Sequence, residues 1–133
     1  MAVKNPYESY QQNSVTTASP GELTLMLYNG IIKFTALAKK AMESKDISGK
    51  NTNILKSQDI VRELMVTLDE GADVAKDMMS LYDYMYRRLI EANIKNDPAI
   101  LVEVEALAAE FRDTWKQVIQ INRQMQYGES RRA

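Results

Sequence analysis

The sequence predicts an all-α fold: an antiparallel up-down four-helix bundle behind a mobile N-terminal arm. Three observations carry that expectation. Apolar residues recur at three- and four-residue steps along four long stretches, the mark of helices with one buried face. Two helix starts are sharply written, Ser19-Pro20-Gly21-Glu22 and Asp97-Pro98. Short linkers place consecutive helices antiparallel. No strand pattern competes, and no internal repeat stands out.

The first helix should run from Pro20 to about Ser44. Ser19 can accept a hydrogen bond from a first-turn N–H, and Glu22 can reach back to the cap amide. Pro20 suits the first helical position because its missing N–H would have no partner there. Leu23, Leu27, Gly30, Phe34, Leu37 and Ala41 form the stripe expected to face the core. After a linker through Gly49, a second helix should run from about Asn51 to Asp69. Its inward residues are Ile54, Val61, Leu64, Met65 and Leu68, and Gly71 is the expected C-cap. A third helix should run from about Asp73 to Lys95, with Met78, Tyr82, Met85 and Leu89 inward. The fourth starts at Pro98, capped by Asp97, and should end near Arg123. Its stripe is Ile100, Val104, Leu107, Phe111, Trp115 and Val118. Helices of this length would each span roughly 30–37 Å.

The expected organisation is an arm at 1–18, a bundle at 19–124 and a frayed tail at 125–133. The arm is polar, with Gln11, Gln12, Asn13 and a Ser/Thr cluster that argue against an independently stable helix. The tail carries Gly128 and paired arginines.

Composition narrows the function. A chain of 133 residues can bury one real core. Net charge is −1 with both signs interspersed, which gives no basic surface for a nucleic acid. The chain has no Cys and no His. Disulfide scaffolds, thiolate metal sites and His-based catalysis are therefore excluded. A di-metal centre of the ferritin kind needs Glu-x-x-His on inward faces. Here Glu103, Glu105 and Glu110 fall mostly on a polar face. No phosphate-binding glycine loop occurs. Arg62, Arg87, Arg88 and Arg112 could hold an anionic substrate, but all four project away from the apolar stripes. No catalytic, cofactor or metal residue is assigned. No apolar run reaches membrane-spanning length. Met1–Tyr10 lacks a secretory apolar core, so a cytoplasmic location is expected.

Binding surfaces are the better candidates. Leu55 and Val66 share a direction on the second helix, away from its core stripe. Leu25 and Ile32 sit opposite the stripe of the first helix. Met79, Tyr86 and Ile90 widen the apolar arc of the third helix beyond the usual 100° or so. Methionine repacks readily, which suits Met79 and Met65 to an adaptable surface. Tyr84 lies on the polar side, either as a snorkelling surface residue or as a contact. Single exposed apolar residues are normal on any surface. Paired ones fit a groove for an apolar partner helix, a dimer interface, or closer packing of the first helix.

The segment Tyr10–Tyr28, YQQNSVTTASPGELTLMLY followed by Asn29-Gly30, resembles the opening of flagellar export chaperones of the FliS type. Leu81-Tyr82-Asp83-Tyr84-Met85-Tyr86-Arg87-Arg88-Leu89, followed by Glu91-Ala92-Asn93, is similar to that family's third-helix motif. Trp115 matches its fourth-helix Trp. The linker Leu68-Asp69-Glu70-Gly71 departs, since relatives often carry a longer loop with two glycines.

The resemblance implies a non-catalytic bundle that binds the C-terminal segment of flagellin in the cytoplasm. Holding that segment prevents premature polymerisation and keeps the subunit competent for export. It also implies contact with an export-gate component at the membrane when loaded, with no direct membrane insertion. The chain would be a monomer or weak dimer. The expected flagellin-binding residues are Leu25, Ile32, Leu55, Val66, Met79 and Tyr84. Tyr7, Tyr10 and Val15 are expected to cap part of the groove when it is empty, or else to pack permanently on one end of the bundle. The competing expectation is a structural homodimerising bundle with no flagellin client.

Overall fold

The computed structural model describes residues 19–132, with side chains as far as 128. The expectations for the arm therefore lie outside the described residues. Among those described, four helices and no strands occur: α1 (Pro20–Glu43), α2 (Ile47–Thr67), α3 (Ala75–Lys95) and α4 (Pro98–Arg132).

Helix boundaries follow local hydrogen bonding. The Ser19 hydroxyl accepts from the Glu22 N–H at 3.2 Å, and the Ser19 N–H donates back to the Glu22 carboxylate at 3.4 Å. Both halves of the capping box are thus present. Lys45 turns the chain in the left-handed region, with φ 59°. Asp46 then accepts from the Gly49 N–H at 2.9 Å and starts α2 at Ile47, ahead of the expected Asn51. A carboxylate is a strong N-cap, so the helix begins within the stretch expected to be a linker.

The far end of α2 also differs from expectation. The helix stops at Thr67, with Leu68 extended. Gly71 is not a left-handed C-cap, since no described glycine has positive φ. Its N–H instead binds the Asp69 side chain at 3.0 Å in the linker before α3. Asn96 ends α3 in the left-handed region, and the Asp97 carboxylate accepts from the Ala99 N–H at 2.9 Å to open α4. Helix α4 continues past the expected end at Arg123 through Arg132. A glycine costs an established helix only about 1 kcal/mol relative to Ala, and each added residue brings a hydrogen bond. Gly128 therefore does not stop it.

Each helix packs on its chain neighbours, and α1 also packs on α4, which closes the ring. The core is built from Leu27, Ile31, Ile54, Val61, Met85, Leu89, Leu101 and Val104, with Tyr28 and Tyr82 among its largest fully buried side chains. Tyr28 stacks on Phe111 with centroids 5.4 Å apart. On α4 the deepest residues are Leu101, Val104 and Ala108, while Leu107, Phe111 and Trp115 pack at the core's edge.

The face of α1 needs correction. It touches both α2 and α4, so its buried arc is wide and takes in Tyr28, Ile31, Thr35 and Ala38. Leu37, expected inward, is 41% exposed. Ile32, expected opposite the core, packs against it. Thr35 is fully buried at no polar cost, because its hydroxyl donates to the Ile31 carbonyl at 2.7 Å.

Lys50 is the one charged side chain among the buried described residues. Its stem runs under the end of α3. Its ammonium donates to Asn96 Oδ1 at 3.2 Å and to the Asn93 carbonyl at 3.4 Å. A cation there also answers the partial negative charge of the helix C-terminus.

Candidate functional site

Among the described residues, recesses lie in two different seams of the bundle. One lies between α3 and α4 and encloses about 380 Å³. Its α4 wall is Phe111, Trp115 and Val118, its α3 wall is Met78 and Leu81, and Tyr28 contributes from α1. It lies where the apolar stripe of α4 passes the first turns of α3. The Trp115 indole is pinned there by its N–H, which donates to the Gly21 carbonyl at 2.7 Å. Glu110 and Thr114 supply the polar rim.

The second recess lies between α1 and α2 and encloses about 480 Å³. Met26, Phe34, Leu37 and Ile60 give it apolar walls, and Lys33 and Lys56 stand beside them. Gly30 sets its depth. A Cβ at that position would come within 2.8 Å of Ile60 Cδ1, so the glycine lets α1 and α2 approach closely.

Several lining residues of both recesses were expected in the core stripes. Phe111, Trp115, Val118, Met78 and Leu37 carry a helical apolar period, and periodicity does not say whether a stripe meets another helix or an opening.

The six residues expected to bind a client fall elsewhere, and none lines either recess. Leu55 and Val66 stand out on α2, 54% and 78% exposed. Leu25, Met79 and Tyr84 are half-buried. The Tyr84 hydroxyl donates to both Glu103 oxygens at 3.0 Å, so the ring is tied to α4. Ile32 packs on the core, as described. Further exposed aliphatics, Ile90 and Ile94 on α3 and Ile47 on α2, run along the α2–α3 side with Leu55. On α4, Ile121 and Met125 are exposed on either side of Arg123, which pairs with Glu22.

The charged groups of α3 and α4 form surface pairs. Arg88 donates to Glu103 at 2.7 Å and also binds Glu91, which pairs with Lys95 at 2.6 Å. The Arg88 hydrogen bond holds the Glu103 carboxyl below the usual carboxylate range. Lys95 first, then Arg88, does the same for Glu91. The hydrogen bond to Glu103 pushes the Tyr84 phenol up. Arg62 donates to the Tyr86 hydroxyl and lowers that phenol. Arg87 pairs with Asp83 and Arg112 with Asp113. No group of three or more Asp or Glu among the described residues is placed to hold a metal ion. No helix among the described residues is long and apolar enough to cross a membrane.

Comparison with known proteins fits this geometry. The family model of the flagellar protein FliS matches residues 3–122. The chain is 55% identical to the flagellar secretion chaperone FliS of Bacillus subtilis, over 96% of each chain. It is 34% identical to the Escherichia coli protein of that name, over 80% of each. It is 38% identical to the flagellar secretion chaperone FliSB of Pseudomonas aeruginosa, over 81% of this chain and 90% of that one.

Proposed function

The chain belongs to the flagellar protein FliS family, and on that premise we propose that it holds the C-terminal segment of flagellin as helices wrapped around the bundle. Sequestered in this way in the cytoplasm, the segment cannot polymerise and the subunit stays competent for export. The observation that carries the proposal is the pair of apolar-walled recesses in separate seams, α1–α2 and α3–α4. A compact ligand would fill one of them. An extended segment that folds on contact can reach both, passing over the exposed Leu55 and Val66 on the way. The curated relatives are named as secretion chaperones, which supports this reading.

The N-terminal segment fits the same scheme. Residues 1–18 lie outside the described ones, but the chain enters α1 next to Trp115, a wall of the α3–α4 recess. The function proposed for Tyr7, Tyr10 and Val15 is a displaceable cap on part of the client groove. Once released, the segment is free to engage an export-gate component. Deleting residues 1–17 is expected to keep the melting temperature and to leave flagellin affinity equal or higher.

Calorimetry with a purified flagellin C-terminal peptide tests the function. Coupled folding gives a large negative heat-capacity change and a gain in helical circular dichroism. Trp115, as the only tryptophan of the chain, reports occupancy of its recess by fluorescence. Absence of binding at peptide concentrations of tens of micromolar, together with a dimer that persists on dilution, would favour the homodimer instead.

A further inference from the structure

The α1–α2 recess has a feature that apolar burial does not explain. Lys33 on α1 and Lys56 on α2 converge on one ring, with ammonium groups 5.4 Å and 5.3 Å from the Phe34 centroid. Neither makes an ion pair among the described residues, whereas nearby Lys39 pairs with Glu105 at 2.9 Å. Two like charges thus line a groove whose other residues are apolar or neutral, Asn29 and Asn53 among them. A partner that covers the groove with apolar groups alone would strip water from both ammoniums without replacing it.

We propose that Lys33 and Lys56 bind one carboxylate of the client helix, and that this contact fixes the register in which flagellin lies on the bundle. The inference rests on the reading of the chain as a flagellin chaperone. The occupant is an amphipathic helix whose apolar residues enter between Met26, Leu37 and Ile60 and whose Asp or Glu lies next to that apolar edge. A shift of the helix along the groove would place an apolar side chain against the lysines, an arrangement electrostatics disfavours. The α3–α4 recess carries the opposite charge on its rim, at Glu110. An acidic stretch is therefore drawn to the first recess and repelled from the second, which gives the wrapped segment a direction.

The test pairs the full-length chain and its Lys33→Gln/Lys56→Gln variant with a flagellin C-terminal peptide. A set of peptides carries each carboxylate changed singly to its amide. Glutamine keeps much of each stem, and equal melting curves check the fold. One amide peptide is expected to bind the unchanged chain about tenfold more weakly, as for loss of a charge-assisted contact, and to bind the variant no worse than the parent peptide does. The variant should also lose part of the salt dependence of binding. Parent-peptide affinity within about twofold for both chains would overturn the proposal and leave the chaperone reading standing. So would a loss in the variant that couples to no single carboxylate. Failure of the unchanged chain to bind the parent peptide would overturn both.

Discussion

The hydroxyls of Tyr28 and Tyr82 lie 2.6 Å apart and share a hydrogen bond in the middle of the core. Both side chains are almost fully buried, and Phe111 packs against both rings. Burial, first, and then the shared bond push the Tyr28 phenol well above its ordinary range. Each hydroxyl satisfies the other, in a place where water does not reach. Removing one leaves its partner buried and unpaired. Tyr28→Phe or Tyr82→Phe alone is expected to cost about 1–3 kcal/mol. The double variant should recover most of that loss, since two phenylalanines leave no orphan. Urea denaturation of the three variants measures the cycle, and additive losses would contradict it.

Leu55→Asp and Val66→Asp are expected to leave stability within about 0.5 kcal/mol of the parent chain, because both sites are solvated. Leu101→Asp should prevent folding, because that site is fully buried and offers a carboxylate no partner. Ile32→Asp should also destabilise, in keeping with its packing on the core. Thermal melts separate these cases. Flagellin affinity then shows whether Leu55 and Val66 serve the client.

Ser57 is fully buried, and its Oγ has no hydrogen-bond partner. A buried hydroxyl without a partner has lost its water for nothing in return. Ser57→Ala is therefore expected to be neutral or to stabilise by about 0.5–1 kcal/mol, with better helix propensity adding to relief of the orphan. A clear loss of stability would show that the hydroxyl has a partner after all.

Acid should loosen the α3–α4 seam. Glu103 and Glu91 have carboxyl groups held below the usual range by Arg88 and Lys95. A depressed folded-state pKa contributes stability above the unfolded value of about 4.3, and that contribution is lost as pH falls through the folded value. Melting temperature should thus drop more steeply below about pH 4 in the parent chain than in Arg88→Gln. Near neutral pH the two should differ little, because these pairs are partly solvated. A parallel pH dependence in both chains would show that Arg88 is not the cause.

The sequence by itself determined the helices and their order. Ser19 with Glu22, and Asp97 with Pro98, write helix starts in local chemistry, and local chemistry needs no tertiary partner to be read. The same holds for the deep residues Leu27, Met85, Leu89 and Val104, whose spacing alone puts them on one face. Tertiary structure decided where apolar stripes are covered. Ile32 and Leu37 exchange their expected places because α1 is flanked by two helices, and a helical wheel knows nothing of neighbours. Phe111 and Trp115 border an opening between α3 and α4, a fact of packing rather than of period. Lys33 and Lys56 meet over Phe34 only once α1 and α2 lie antiparallel at the close distance that Gly30 permits. Contacts between residues far apart in the chain set the recesses, and no local pattern encodes such contacts.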